Sequence, residues 1–264
     1  MLVNGKPADS IPVEDRGLLY GDGVFRTLRA HAGQPANWSR HYRKLQQDCT
    51  ALGMVFPDAS VWLDDIARLS VQGDAVLKLI VTRGAGERGY APIVSACPTR
   101  IVACYPAPAP VTRPVDLHLC QIRLARQPRL AGIKHLNRLE NVLAAQECQQ
   151  AGKPEGVLLD EADNVISGTR SNLFMVTQQR LLTPDLSQCG VAGVQRERVM
   201  AWAAAQAVPC TVSRLSLQAL REAEEIFLVN SVFGIWPVAT FADREYNDYR
   251  FSNAIRPWLN DVQN

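Results

Sequence analysis

The sequence predicts two α+β domains joined by a proline-rich linker. Its 264 residues exceed the about 100–150 that one domain usually contains. Strand and helix patterns alternate on both sides of Tyr105–Pro114, where every second residue up to Pro110 is proline. Such a run excludes a helix and favours a stiff connector, with a long surface loop inside one domain as the alternative. We predict a small N-terminal domain over residues 1–105, a linker over 106–114 and a large C-terminal domain over 115–264.

The individual elements follow from hydrophobic periodicity, β-branched residues and helix-ending glycines. In the N-terminal domain, Asn4-Gly5 is typical of a hairpin turn. There we predict strands over 24–29, 75–83 and 101–105 and helices over 39–52 and 58–71. In the C-terminal domain we predict strands over 115–123, 156–160, 164–166, 172–176, 181–183 and 226–230, and helices over 136–150, 194–206 and from 252 onward.

The composition is that of an ordinary globular protein, with 47% hydrophobic and 20% charged residues, which excludes a disordered or fibrous chain. The net charge is +2 and no basic block stands out, so nucleic acid and membrane surfaces are unexpected partners. No apolar run approaches the roughly 18 residues that span a bilayer, and residues 1–6 are unlike a signal peptide.

The seven cysteines are scattered without a C-x-x-C pair, and the four histidines lie in no zinc-ligand spacing. We therefore expect free thiols, no metal site and a cytoplasmic location.

One glycine motif imitates a dinucleotide-binding loop. Gly84–Gly89 matches G-x-G-x-x-G after a predicted strand, but Pro92 and Pro98 exclude the helix that such a site needs. A flexible loop that carries Arg88 to a ligand and a plain glycine turn both remain open. The sequence has no Walker loop, no G-x-S-x-G and no H-E-x-x-H, so it lacks the usual signatures of hydrolases and metalloenzymes.

Among five lysines, Lys134 differs by the apolar approach of Leu130–Ile133 before a predicted helix. A lysine among apolar neighbours loses its charge easily, as a Schiff-base lysine must, although most such lysines cap a helix or extend to solvent. Gly190–Arg196 is a glycine-bounded loop that enters another predicted helix and can hold a phosphate through backbone N–H groups. Ser231 can add a hydroxyl.

Six segments spread over the whole chain carry a family resemblance: Gly21–Phe25, His41–Leu45, Val81–Tyr90, Gly132–Glu140, Ser171–Phe174 and Gly190–Arg196. Together they resemble fold-type IV pyridoxal-phosphate enzymes, the group of branched-chain and D-amino-acid aminotransferases. The segment around Lys134 is most similar to the lyase branch of that group. The resemblance implies a D-amino-acid aminotransferase-like fold, with pyridoxal 5'-phosphate in the cleft between the domains and a homodimer that completes the site.

The resemblance also implies roles for single residues. Lys134 would bind the cofactor and act as catalytic base, and the hydroxyl of Thr27 would lie beside the reacting carbon. The phosphate ligands would be the backbone amides of Val194 and Gln195 and the side chain of Ser231.

Substrate contacts are implied as well. Arg88 falls where relatives hold a substrate carboxylate, with Tyr20 as a weaker candidate. Arg29 or Arg138 would assist, because a guanidinium binds a carboxylate in bidentate geometry. For these two arginines an exposed charge without a ligand is the alternative.

Three positions depart from the family pattern. Lys44, with Arg43 beside it, stands where relatives aim an arginine at the phosphate, and Leu139 replaces a tyrosine used by aminotransferases. Ser167 replaces the acidic residue that meets the pyridine nitrogen. A serine stabilises the protonated nitrogen less well, which disfavours transamination more than an elimination that creates an aromatic ring.

The resemblance to the lyase branch implies the elimination of pyruvate from 4-amino-4-deoxychorismate, which leaves 4-aminobenzoate for folate synthesis. A branched-chain or D-amino-acid aminotransferase is the second hypothesis. A non-enzymatic protein that carries the cofactor on the same scaffold is the third.

Overall fold

A computed structural model describes residues 1–92, 97–111 and 113–261 of the chain. The described residues form two compact units. The first contains residues up to Pro108 together with Ile133–Asn137, and the second contains residues 109–132 and those from Arg138 onward. The short segment that carries Lys134 thus groups with the first unit. Thr112 of the predicted linker lies outside the described residues, and the linker bounds stay a prediction.

The first unit is built on an antiparallel sheet. Its elements are β1 (Leu2–Val3), β2 (Lys6–Pro7), α1 (Arg16–Tyr20), β3 (Gly23–His31), β4 (Gln34–Pro35), α2 (Trp38–Ala51), α3 (Ala59–Arg68), β5 (Asp74–Thr82) and β6 (Thr99–Pro106). Over the described residues the strand order is β2-β1-β6-β5-β3-β4. The predicted turn joins β1 to β2, with Asn4 at φ 49° and Gly5 at φ 78°, as a type I′ hairpin turn requires.

Strand β3 gives this sheet two different faces. Val24, Arg26 and Leu28 are buried. The alternate residues are half-buried on the opposite face: Phe25, Thr27 and Arg29. Because successive side chains point to opposite faces, the charged side chain of Arg26 points into the core, among its apolar residues.

The second unit carries a larger mixed sheet. Its elements are β7 (Val115–Leu124), α4 (Leu139–Gln150), β8 (Glu155–Asp160), β9 (Asn164–Gly168), β10 (Asn172–Thr177), β11 (Arg180–Pro184), α5 (Val194–Ala205), β12 (Cys210–Ser213), β13 (Leu215–Ser216), α6 (Leu217–Glu222), β14 (Glu225–Asn230), β15 (Gly234–Phe241), β16 (Arg244–Glu245) and α7 (Arg250–Asn260). Within the part of the chain that the structure covers, the strand order is β12-β11-β10-β14-β15-β7-β8-β9-β13, and β16 pairs with β15.

Both faces of this sheet are buried at its centre. Leu173 and Met175 of β10 belong to one apolar cluster, whereas Phe174 and Val176 belong to another, which also includes residues of α5 and α7. A strand buried on both faces reads as a continuous apolar run rather than an alternation, as the Leu173–Val176 stretch does.

Two differences from the predicted elements have physical causes. The predicted strands omit β15 because Pro237 lies within it, and proline lacks the N–H that a ladder needs. The pairing of β15 with β7 is irregular just beyond, between Val238 and Thr240. The helix predicted from residue 136 begins at Leu139, so the chain around Lys134 is irregular.

All seven cysteines carry free thiols. None of the helices within the described residues combines the length and the apolar character needed to cross a membrane.

Candidate active site

Lys134 is held by its main chain on two sides. Its carbonyl accepts the N–H of Phe25 at 3.0 Å, and the N–H of Leu136 donates to Gly23 at 2.9 Å, so the segment runs antiparallel beside β3. On the other side, the Lys134 N–H donates to Oδ2 of Asp48 on α2 at 3.1 Å. An irregular segment is thereby given a defined path.

The side chain of Lys134 lies beside an aromatic ring. Its Nζ is 4.6 Å from the centroid of Phe25, and Nζ of Lys78 on β5 is 5.2 Å from the same centroid. Thr27 lies two residues along β3 on the face of Phe25, and it pairs with Lys78 across the sheet. Among the described residues no hydrogen bond to the Thr27 hydroxyl is found. Lys78 is half-buried and belongs to the surroundings of Phe25.

A buried ion pair lies behind this segment. Arg26, only 2% exposed, donates to the Asp48 carboxylate and, at 3.3 Å, to the carbonyl of Lys44. Burial lowers the pKa of Arg26, and Asp48 opposes that shift. Burial raises the pKa of Asp48, against the opposing effects of Arg26, the Lys134 amide and the charges of Lys44 and Lys134. In the sequence, the feature that indicates this ion pair is the charge of Arg26 at a position of strand β3 that faces the core.

The two cationic candidates for contact with the cofactor phosphate, Lys44 and Arg43, lie on different faces of helix α2. Lys44 is half-buried and lies at i, i+4 spacing from Asp48, which places both on one helix face. Arg43 is exposed, roughly 100° around the helix. Lys44 therefore lies on the side of Lys134.

The loop of Arg88 is braced rather than free. The guanidinium of buried Arg16 donates to the carbonyls of Gly89 at 2.8 Å and Tyr90 at 2.7 Å. The hydroxyl of Tyr20 accepts the N–H of Gly89 at 3.1 Å, and its ring packs on Tyr90 with centroids 5.5 Å apart. Tyr20 thus contacts the loop itself, while the Arg88 side chain is exposed.

The two further arginines both have protein partners. Arg29 donates to the carbonyl of Pro108 at 3.4 Å. Arg138 donates to Oδ1 of Asn141 at 3.4 Å, and Asn141 in turn binds the carbonyl of Thr169 at 2.8 Å. A role for either arginine in carboxylate binding stays a prediction.

The second unit holds a helix start suited to an anion. Helix α5 begins at Val194, and Gly193 caps it without a side-chain hydrogen bond. The first N–H groups of a helix have no intrahelical acceptor, so those of Val194 and Gln195 point to an external one. A Cβ on Gly193 would lie 2.4 Å from Oδ1 of Asn172, so this position requires glycine for steric reasons.

The same loop is tied to the chain that leads to Lys134. The N–H of Gly132 donates to Gly190 at 3.0 Å, and the N–H of Ala192 donates back to Gly132 at 3.0 Å. The side-chain amide of Asn172 donates to the carbonyl of Val191 in this loop at 2.8 Å. Gly132 is two residues before Lys134 in the sequence.

The two serines predicted to contact the cofactor, Ser231 and Ser167, lie in different surroundings. Ser231 is half-buried in a turn that Asn230 stabilises, since its Oδ1 accepts the N–H groups of Val232 at 2.8 Å and Phe233 at 2.9 Å. Ser167 is a buried residue of β9.

Glu155 is a buried carboxylate that sequence reasoning missed. It accepts the N–H of Thr169 at 2.6 Å, the Thr169 hydroxyl, and the hydroxyl of Ser171 at 3.3 Å. These contacts hold the turn that follows Ser167, so this carboxylate is engaged by its own chain.

The chain matches known proteins over most of its length. The family model for class IV amino-transferases matches residues 23–241. An aminodeoxychorismate lyase of Vibrio harveyi is 35% identical over 242 residues, which cover 90% of this chain and 89% of that protein. A candidate branched-chain-amino-acid aminotransferase of Methanocaldococcus jannaschii is 31% identical over 257 residues, with 93% and 89% covered.

Solved structures confirm the fold. The crystal structure of 4-amino-4-deoxychorismate lyase from Pseudomonas aeruginosa matches with a TM-score of 0.92 and 43% sequence identity, covering 97% of this chain and 98% of that one. The predicted α+β class and the aminotransferase-like fold are therefore correct.

Proposed function

This chain belongs to the class IV aminotransferase family, and we propose that it is a pyridoxal-5'-phosphate-dependent lyase that converts 4-amino-4-deoxychorismate into 4-aminobenzoate and pyruvate. The observation that carries the proposal is the setting of Lys134, a primary amine beside an aromatic ring on a main chain held from two sides. Two proteins named as lyases are 35% and 43% identical to this chain, against 31% for the protein named as a branched-chain aminotransferase.

The residues present fit the cofactor. When bound, pyridoxal phosphate supplies an aldehyde that a lysine amine can bond and a ring that accepts electrons from the substrate. Lys134 offers that amine. The N–H groups of Val194 and Gln195 offer phosphate donors, because a helix start attracts an anion. Ser231 adds a hydroxyl and Lys44 a positive charge.

The chain's own groups then perform the proton transfers. Lys134 takes the proton from the amine-bearing carbon of the substrate, as a positioned general base. Thr27, on the same face of β3 as Phe25, passes a proton to the ether oxygen that departs with the three-carbon fragment. That fragment leaves as the enol of pyruvate, which ketonises, and the ring becomes aromatic. The proton that Lys134 took replaces the one that Thr27 gave, so all atoms of the substrate appear in the two products.

Substrate orientation is assigned to the braced loop. The exposed guanidinium of Arg88 pairs with a substrate carboxylate, and Arg16 and Tyr20 hold the backbone of the next residue, Gly89, in place. A loop whose backbone is held in advance loses less entropy on binding than a mobile loop.

We further assign the enzyme to a homodimer in the cytoplasm. Leu139, Val142 and Leu143 are 77%, 50% and 47% exposed on α4, and their i, i+3, i+4 spacing gathers them on one face. Exposed apolar clusters of this kind commonly mark an interface. Cys120 and Cys148 remain thiols with Sγ atoms 3.9 Å apart, which fits a reducing compartment.

An aminotransferase is the second candidate, favoured by the 31% identity to the archaeal protein. Ser167 opposes it, because an uncharged side chain at this position supports the protonated ring nitrogen less well.

Purified protein with pyridoxal phosphate is mixed with 4-amino-4-deoxychorismate in the absence of a keto acid, and 4-aminobenzoate and pyruvate are quantified. We expect equal release of both, lost in Lys134→Ala and retained in the control Lys153→Ala, whose amine pairs with Asp116 at 3.1 Å elsewhere. No release from protein that shows the cofactor's visible band would refute the lyase. Amino transfer to 2-oxoglutarate would then support the second candidate.

A further inference from the structure

We propose that Asp48, paired with Arg26, is a positioning residue for Lys134 and acts through the main-chain N–H of that lysine. This inference rests on the proposed function, in which Lys134 is the cofactor lysine. It concerns how the amine is aimed and adds no group to the reaction itself.

The hydrogen bonds define the argument. Lys134 lies outside any helix or strand, so regular secondary structure does not set its backbone angles. Phe25 holds its carbonyl at 3.0 Å and Asp48 holds its N–H at 3.1 Å. With both polar groups held, the Cα–Cβ bond has a fixed direction, and the side chain leaves toward the Phe25 ring.

The energetics of the ion pair point the same way. Arg26 lies between Val24 and Leu28 on the buried face of β3, where an apolar residue would pack without the cost of desolvating a charge. Buried ion pairs are often replaced by apolar residues with no loss of stability, so stability alone gives little reason for this one.

What the pair provides is a strong acceptor at a fixed point. An ionised carboxylate accepts an N–H bond more strongly than a neutral oxygen does. Arg26 is itself anchored by the Lys44 carbonyl at 3.3 Å, and it opposes the rise in pKa that burial causes at Asp48. Arg26 thus faces the acceptor with the opposite charge and holds it in place.

The test separates positioning from stability with two variants and one control. Asp48→Asn removes the charge, and the double variant Arg26→Leu/Asp48→Leu removes the acceptor while restoring an apolar contact. The control is Asp65→Asn, because Asp65 is equally buried in the same unit, bonds Arg100 at 2.5 Å and does not contact Lys134.

The readouts are the melting temperature, amide hydrogen exchange at Lys134 in the holoenzyme, the cofactor's visible absorption band, kcat and KM. In the double variant we expect a melting temperature close to that of the wild type but exchange at Lys134 at least about tenfold faster, the effect of losing one charge-assisted bond. We expect kcat to fall about tenfold or more with KM little changed, because the amine is displaced while substrate contacts remain. Asp48→Asn should change the same readouts in the same direction.

Unchanged protection at Lys134 in the double variant would overturn the proposal. So would lost protection with an unaltered absorption band and kcat, or an equal loss of kcat in Asp65→Asn. A wild type without lyase activity would refute the proposed function instead, and the exchange measurement would still decide whether Asp48 holds the Lys134 amide.

Discussion

The Asp48 carboxylate lies 3.1 Å from the main-chain N–H of Lys134, although 86 positions separate the two residues in the sequence. The contact joins helix α2 to an irregular segment just before α4. Together with the Phe25 N–H on the other side, it sets the path of the lysine that the proposed reaction depends on.

Thr27→Val should slow pyruvate release about 100-fold, a usual loss for a group that transfers a proton. Valine keeps the β-branched shape that suits a strand, so cofactor affinity should not change. Single-turnover pyruvate release and a cofactor titration measure the two quantities. Thr211→Val, an exposed threonine on β12, is the control and should change neither. Equal losses of rate and cofactor affinity in Thr27→Val would mean that Thr27 is structural.

Gly193→Ala should weaken pyridoxal phosphate binding at least about tenfold, since its Cβ would lie 2.4 Å from Asn172 Oδ1 and displace the start of α5. Fluorescence titration of the apoprotein measures the affinity. Pyridoxal without the phosphate is the matched control ligand, and its affinity should stay the same. If both ligands lose affinity equally, the loop does not bind the phosphate.

Ser167→Glu should raise keto-acid-dependent amino transfer relative to pyruvate release by about tenfold, because a carboxylate supports the protonated ring nitrogen. The ratio of the two rates on one preparation is the measurement, and Ser167→Ala should leave it unaltered. A ratio that stays constant in Ser167→Glu would show that position 167 does not control the reaction type.

Asp22→Asn should destabilise the protein by roughly 1–3 kcal/mol at neutral pH, because the amide lacks the negative charge that strengthens its hydrogen bonds with two guanidinium groups. Oδ2 of Asp22 accepts from Arg16 at 2.9 Å and Arg83 at 2.7 Å. Burial acts to raise the pKa of Asp22, but hydrogen bonds from Arg83 and Arg16 outweigh it, so its pKa lies below the ordinary 3.8.

The pH dependence of that variant follows from the sign of the shift. A depressed pKa in the folded state contributes stability above the unfolded value and loses it as the pH falls through the folded value. The gap in unfolding free energy between wild type and Asp22→Asn should therefore narrow below pH 3.8 in urea titrations. Asp74→Asn, which breaks an exposed pair with His31, should cost under about 1 kcal/mol. A gap that is constant with pH would contradict the assignment.

Local patterns were enough to predict most elements. The strand predicted over 75–83 is β5 (Asp74–Thr82), and the helix predicted over 194–206 is α5 (Val194–Ala205). Burial of one or both faces gives an element an alternating, helical or continuous pattern of apolar residues, which is visible in the sequence. Elements as short as α1 (Arg16–Tyr20) leave too few residues for a period to be visible.

The sequence by itself determined the family, the candidate lysine and the glycine-bounded loop, because these rest on residue types at short spacing. Only the tertiary structure decided that the Asp48–Arg26 ion pair contacts the main chain of Lys134. The same holds for the contact of Lys78 with the Phe25 ring and for the hydrogen bonds by which Arg16 holds the loop of Arg88. These contacts join residues far apart in the chain, and their formation depends on strand register and helix packing. Burial converts such distant pairs into strong, directional interactions, since water no longer competes for the same hydrogen bonds.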